Sequence, residues 1–288
     1  MTGCAAGGTG EKTWCELCHR HLMVGLWQAA APELQVRVHY LDTFTERAVM
    51  MTVGTADFRV RYAEAVSHRE SGRQASGRKE LPELQGLTAY LGAGKQFRQA
   101  LRSWTEDALW PELFLEGIKA LIQAEYCVAG ERGFASEKEY EQFFAEKFAG
   151  SCIYYSHPLE FLQPWGVYVG NQVRDGCLFM RLRTSRLHLG ERWFVTGTMM
   201  DSFHELTLEM ALDAGAGTVA AAEAHIIRVP DRVCHQAANA VQGLVGRRLA
   251  QEDRRELAVL LGGKTGCTHL VDLAADGAAL LGLAGSGR

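Results

Sequence analysis

No apolar run in this 288-residue chain is long enough to cross a bilayer, so a membrane-spanning helix is not expected. Neither charge sign dominates: 30 Lys and Arg stand against 34 Asp and Glu, for a net charge of −4. A protein that grips nucleic acid carries a broad basic face, and nothing in that balance suggests one. The opening Met1-Thr2-Gly3-Cys4-Ala5 lacks the basic and apolar stretches of a secretory leader. Eight cysteines are scattered without the spacing of a disulfide frame and read as reduced thiols, which makes the cytoplasm the expected compartment. What is present is ordinary globular composition, 47% apolar and 22% charged, enough for one large domain or two of common size.

Along the chain, Trp14, Cys18, Leu22, Gly25 and Leu26 form a helical apolar stripe that predicts a helix from Lys12 to Ala31, ended by Pro32. Three strands follow. Leu34-Leu41 alternates through Leu34, Val36, Val38 and Tyr40, and Ala48-Val53 and Phe58-Val66 complete the set. The polar stretch Ser67–Pro82 reads as a loop or frayed helix, and Leu84–Trp104 and Leu109–Cys127 as helices. Ser136-Glu137-Lys138-Glu139 has the form of a capping box opening a short helix to Phe148. After an irregular, aromatic Gly150–Gly170 come four strands, over 177–187, 193–200, 205–213 and 218–229, and then three helices.

The two halves share an order and a spacing. Asp42-Thr43-Phe44-Thr45-Glu46 returns as Asp201-Ser202-Phe203-His204-Glu205, an offset of 159 (201 − 42). The same offset pairs Val60 with Val219, Ala63-Glu64-Ala65 with Ala222-Glu223-Ala224, Arg69 with Arg228 and Arg73 with Arg232. Further on, Leu84-Gln85-Gly86-Leu87 falls against Val241-Gln242-Gly243-Leu244 with a small slip. The expectation is an α+β chain with an internal duplication of a β-β-β-α-α-α unit, a pseudo-dimer within one chain. Its borders fall at 1–33 (N-terminal helix), 34–129 (first repeat), 130–176 (connector) and 177–288 (second repeat).

The copies differ where chemistry would sit. Cys267 follows a helix stop at Gly262-Gly263 and opens an apolar helix, and Cys234 follows the plausible N-cap Asp231. A thiol in a helix's first turn faces unpaired N–H groups and the positive dipole end, which favours its thiolate. With His204 on a strand and His269 two residues past Cys267, these thiols form a candidate soft-metal site. In the first copy Thr45 stands for His204, Ala75 for Cys234 and a residue near Glu112 for Cys267. Ligands are absent there while packing positions are kept.

His204-Glu205, Pro230…Cys234 and Cys267-Thr268-His269-Leu270 carry a resemblance to an uncharacterised bacterial domain family that ends in a Cys-Thr-His-Leu motif. More distantly, the second repeat resembles the iron–sulfur cluster scaffold fold, where small strands and a helical layer hold three cysteines and an aspartate. That resemblance implies cluster or metal binding. On it Cys234 and Cys267 fall on two of the scaffold cysteines, His204 falls near the aspartate, and Ser202 stands where the first cysteine would be.

Bland readings stand beside these. Unpaired cysteine usually behaves as a small buried apolar residue, and His204 alone would suit a satisfied core histidine. Glu205, a candidate general base, has Glu46 as its counterpart, which favours a role in the fold. His225 and His235 read as structural or surface residues. Cys15-Glu16-Leu17-Cys18-His19 matches the c-type haem string, half a zinc site with His19 or His21, a redox dithiol, or a helix with two thiols one turn apart. The last is the commonest case, and the pair is expected to stand apart from Cys234 and Cys267. Gly92-Ala93-Gly94-Lys95 and Gly262-Gly263-Lys264-Thr265 lack phosphate-loop spacing and read as helix caps. Cys152, Tyr154, Tyr155 and His157 line a pocket or plug the seam between the copies.

Three functional classes follow. The first is a zinc or iron–sulfur carrier acting with a protein partner through Cys234, Cys267 and a histidine. The second is a metal-dependent hydrolase or lyase acting on a small molecule, with Glu205 as base and an open coordination position. The third is an interaction module with incidental thiols.

Overall fold

A computed structural model describes residues 15–29, 32–71, 73–170, 174, 176–214 and 216–286 of an α+β protein. Two compact units divide it. One, termed the Asp42 unit, holds residues 21–147 and 163–182; the other, the Asp201 unit, holds the described residues up to 20 with 148–162 and 183–286. Two strands, β1 (Cys15–Gln28) and β6 (Cys177–Leu189), contribute segments to each.

The Asp42 unit contains β2 (Glu33–Asp42), β3 (Glu46–Gly54), β4 (Val60–Glu70) and β5 (Arg73–Glu80), paired consecutively and antiparallel. Alternation drives β2: Leu34, Val36, Val38 and Tyr40 are buried. Helices α1 (Gly94–Leu101), α2 (Leu109–Ala124), α3 (Glu137–Lys147) and α4 (Trp165–Val169) follow. Apolar residues of α2 face β2 and β3, with Gly117 set over Val36 and Met51. The Ser136 hydroxyl accepts the Glu139 N–H (3.2 Å) at the start of α3.

In the Asp201 unit β7 (Trp193–Asp201), β8 (Glu205–Leu212) and β9 (Val219–Arg228) pair antiparallel in sequence order. A winding of i→i+3 bonds, Arg232–Leu244, packs on β9. Helix α5 (Arg254–Leu261) begins with a complete capping box from Asp253 and Glu256, and α6 (Thr268–Ser286) lies on β7 and β8. Within the same unit the buried Arg183 pairs with Asp272 (3.3 Å) and Asp276 (2.5 Å) of α6.

Matching local features recur in the two units. Asp42 and Asp201 each accept two turn N–H groups, and Arg69 and Arg228 each donate to the carbonyls of those turns. Phe58 and Gly217 both have left-handed backbones, at φ 50° and 63°, and bond back to Gly54 and Asp213. Gly86 and Gly246, at φ 80° and 84°, donate to Val60 and Val219. Gly277 of α6 is set over Val195 and Met210 as Gly117 is over Val36 and Met51. These bonds pair Leu84–Leu87 with Leu244–Arg247, three residues beyond the pairing the sequence suggests.

Several expectations are corrected. Residues 15–28 form a strand, not a helix, and Lys12–Trp14 lie outside the described residues. Cys18, Leu22 and Leu26 recur every four residues, and four is a multiple of two, so the stripe suits a strand equally; the burial of Val24 shows which period holds. Ser67–Pro82 is the end of β4 and all of β5, a polar, charged edge strand without the apolar alternation that reveals inner strands. The β-β-β-α-α-α order therefore fails in the Asp42 unit, where a fourth strand replaces the first helix. Positive-φ glycines at 86 and 92 break the expected Leu84–Trp104 helix down to α1.

Candidate metal centre

The turn between β7 and β8 is built by Asp201. Its Oδ1 accepts the N–H groups of Phe203 (2.8 Å) and His204 (2.7 Å) and lies 3.1 Å from His204 Nδ1. A carboxylate on one ring nitrogen fixes the imidazole's orientation and its tautomer, leaving Nε2 as the nitrogen able to take a ligand. Arg228 of β9 donates to the carbonyls of Asp201, Ser202 (3.0 Å) and His204 (3.2 Å), so the turn is held from beneath. Glu205 begins β8, half-buried, opposite Met200 and Arg228.

His269 enters from the first turn of α6. Its ring centroid is 4.2 Å from that of His204, and one donor atom from each of Asp201, His204 and His269 lies within 4.8 Å of the others. Cys267 is the residue before α6: its carbonyl accepts the Leu270 N–H (3.1 Å), and its Sγ lies 3.6 Å from His269 Nδ1. Gly266 allows this approach, because a Cβ there would collide with the Leu261 and Gly262 carbonyl oxygens. Cys234 lies in the first turn after Asp231, whose carboxylate accepts the Val233 N–H (2.8 Å) as the sequence predicts for an N-cap.

The expected thiolates do not form. Burial pushes the Cys234 thiol up to about 12, against an opposing backbone hydrogen bond from Asp231. Burial likewise raises Cys267 to about 11, although N–H groups of Leu270 and His269 favour its anion. Removal from water outweighs the helix start, so both are neutral thiols in the ion-free fold. Burial raises the Cys152 thiol as well, and its ionisation would disfavour that of Cys234 and Cys267.

The structure thus brings His204 and His269 together with Asp201, and sets the Cys267 thiol beside His269. Asp201 was not singled out as part of the site; the sequence comparison paired it with Asp42, which pointed to a role in the turn. Elsewhere, Cys18 is buried in the core of the Asp201 unit and donates to the Leu280 carbonyl (3.5 Å). His19 pairs with Glu16 (3.1 Å) near the surface, and the Cys15 side chain lies outside the described residues. On a strand, residues three apart point to opposite faces, so the helical-turn dithiol expected of Cys15 and Cys18 loses its premise. His225 is exposed beside Glu223 (3.4 Å), and His235 is exposed.

No disulfide joins the cysteines whose side chains are described. Among the described residues no helix is long and apolar enough to cross a membrane. Residues 185–280 match a family model described as "Protein of unknown function (DUF2889)", less than half of the chain. Neither a curated protein nor a solved structure matches. The match spans His204, Cys234, Cys267 and His269 and leaves out Cys152.

Proposed function

We propose that the Asp201 unit binds a soft metal ion, zinc or the iron of an iron–sulfur species, through Cys234, Cys267 and a histidine, and serves as a metal or sulfur carrier. The observation that carries this reading is the Cys267 Sγ to His269 Nδ1 separation of 3.6 Å. Tetrahedral zinc with bonds of about 2.3 Å to sulfur and about 2.05 Å to nitrogen sets its ligands about 3.6 Å apart. The donor set fits such an ion: thiol and imidazole ligands, one imidazole held by a carboxylate. A bound cation would supply the charge that lets buried thiols ionise. His204, tilted against the His269 ring and anchored by Asp201, is the alternate nitrogen ligand.

The same reading includes the duplication. Shared turns, left-handed positions and helix glycines support two copies of one unit, of which only the Asp201 copy kept ligands. The three strands and following helices of that copy are also what the scaffold resemblance leads one to expect, and a protein partner would be the recipient of its cargo.

The test is anaerobic purification followed by elemental analysis and an absorption spectrum, repeated on Cys234→Ser and His269→Ala. About one zinc per chain, or iron with sulfide absorption, is expected in the parent and a loss in both variants. A parent that holds no zinc or iron, and takes up none from buffered solution, rules the reading out.

A further inference from the structure

We infer that Asp201, His204 and His269 together ligate one ion, adding a carboxylate and a second imidazole to the donors named above; the inference rests on the metal-binding reading of this unit. One donor atom from each lies within 4.8 Å of the other two, and among the described residues no other three histidine, cysteine or carboxylate side chains converge so closely. Donors bonded at about 2.1 Å to one ion stand at most about 4.2 Å apart, so the three have to close by less than an ångström. They come from two elements that are each held firmly. Asp201 and His204 belong to the β7–β8 turn, whose carbonyls Arg228 binds. His269 belongs to the first turn of α6. The buried Arg183 pairs with Asp272 (3.3 Å) and Asp276 (2.5 Å), one and two turns further along that helix. The imidazole rings already meet, with 4.2 Å between centroids and 46° between planes. Little ordering is left for an ion to impose.

The matching corner of the Asp42 unit shows what the turn alone requires. Asp42 gives Oδ1 to the turn N–H groups, as Asp201 does, and its Oδ2 accepts the Tyr40 hydroxyl. Tyr40 pairs with Arg47 across the sheet and Met199 pairs with Leu206, so Met199 is the counterpart of Tyr40. A methionine side chain has no hydrogen to donate. One aspartate therefore has a hydroxyl at its side, and the other has two imidazoles. Carboxylate ligands of metals are themselves held by hydrogen bonds, as the turn N–H groups hold Asp201. Two imidazoles and a carboxylate suit a single borderline divalent ion, zinc or iron(II), and not a sulfide-bridged cluster, whose irons are held chiefly by thiolates. Around such an ion the three leave one net positive charge. Cys267 Sγ, 3.6 Å from His269 Nδ1, neutralises it as a fourth ligand when its proton passes to water and a sulfur–metal bond forms.

Asp201→Asn tests the carboxylate and spares the turn, because an amide oxygen accepts the same two N–H groups; Asp42→Asn is the matched change in the other unit. The full chain is titrated with cobalt(II) and followed by absorption. Binding should weaken more than about a hundredfold in Asp201→Asn and in His204→Gln, beyond the roughly 10–100-fold that an outer-shell partner costs, and stay within about threefold in Asp42→Asn. A smaller loss in Asp201→Asn, with His269→Ala weakened further, makes Asp201 an outer-shell partner and overturns the inference while leaving metal binding intact. A parent chain that takes up no cobalt overturns both. Should Asp201→Asn fail to fold, X-ray absorption of the zinc-loaded parent decides. Two imidazoles and an oxygen are expected around the ion, at about 2.0–2.2 Å. A single imidazole among sulfurs overturns the inference and upholds the thiol-based reading.

Discussion

The Asp42 and Asp201 turns have one backbone and two chemistries. Asp42 Oδ1 accepts the N–H groups of Phe44 and Thr45, both at 2.7 Å, as Asp201 accepts those of Phe203 and His204 at 2.8 and 2.7 Å. In the Asp42 unit the adjoining space is filled by Arg47, which makes a two-point contact with Glu70 (2.7 and 2.8 Å) and a third bond to Asp107 (2.6 Å), over the ring of Trp110. Counted back from the matching helix glycines, Asp107 stands where Cys267 does: ten residues before Gly117 in one unit and ten before Gly277 in the other. That replaces the residue near Glu112 which sequence comparison suggested. Offset by 159, Arg47 meets Leu206 and Glu70 meets Val229. One corner therefore contains its own cation and satisfies it. The other sets two imidazoles, His204 and His269, beside Asp201, with the Cys267 thiol next to His269. The turn sets a place for side chains to converge; the residues at 45, 47 and 107, or 204, 206 and 267, decide what converges.

The largest expected difference between the corners is their response to zinc. At an ion concentration about a thousand times the dissociation constant, binding stabilises the folded state by about 4 kcal/mol. Hydrogen exchange should slow at the β7–β8 turn and the first turn of α6 and stay unchanged at residues 42–47. Equal slowing at both turns would mean the corners are not chemically distinct.

The left-handed positions come next. Phe58 is fully buried, flanked by Tyr90 (5.6 Å) and the Arg132 guanidinium (4.1 Å), and it tolerates φ 50° only because that packing holds it. Phe58→Gly should cost about 3 kcal/mol, the loss of a core aromatic less about 1 kcal/mol of relieved backbone strain. Gly217→Ala, with no buried side chain at stake, should cost about 1 kcal/mol. Denaturant unfolding of both variants checks this, and a Phe58→Gly chain as stable as the parent would show the ring is not an anchor.

Much of this architecture was legible in sequence where a physical signal is local and periodic. The alternation through Leu34, Val36, Val38 and Tyr40 names a strand, and the 159-residue offset brings out Asp42, Asp201, Arg69 and Arg228 before any turn is seen. Signals shared by two structures mislead: the four-residue spacing of Cys18, Leu22 and Leu26 fits a helix and a strand alike. β5 has no apolar face to read. The helix starts at Cys234 and Cys267 were visible, but the burial that reverses their ionisation depends on the packing of segments distant in the chain. The clasp of 151–153 with 263–266 joins segments over a hundred residues apart with no motif to mark it.

The two corners should also fail at opposite ends of the pH scale. Hydrogen bonding from Arg47 holds the Glu70 carboxyl below its ordinary range. Its contribution is therefore present above the unfolded pKa of about 4.3 and lost as pH falls through the lower folded value. Cys234 and Cys267 are raised to about 12 and about 11. In ion-free protein their contribution is complete below the unfolded pKa of about 8.5 and is lost as pH rises through the folded values. Each thiol should cost up to about 1.4 kcal/mol for the first pH unit above that point. Zinc should cancel the alkaline loss, because the thiolate is then the bound form. Unfolding curves from pH 4 to 10, with and without zinc, give both arms; an alkaline loss unchanged by zinc would separate the thiols from any metal.

The smallest effect concerns the helix glycines that lie on each sheet. A glycine within a helix costs about 1 kcal/mol relative to alanine, so its retention at 117 and 277 needs a packing reason. A Cβ on Gly117 would meet Met51 Cε at 3.1 Å and Val36 at 3.5 Å; the nearer contact is the mobile end of a methionine, which can turn aside. A Cβ on Gly277 would meet Val195 Cγ1 at 2.9 Å as well as Met210 Cε at 3.0 Å, and a β-branched side chain fixed in a strand has no alternative rotamer to take. Helix propensity and crowding should nearly cancel in Gly117→Ala, leaving a change within about 0.5 kcal/mol, whereas Gly277→Ala should destabilise by about 1 kcal/mol. Because α6 begins at the candidate centre, the second variant should also weaken zinc binding by displacing His269, and the first should not. Should both alanines prove equally neutral in stability and in zinc affinity, α6 has slack against β7 and β8. The position of His269 would then depend on the Cys267 turn alone.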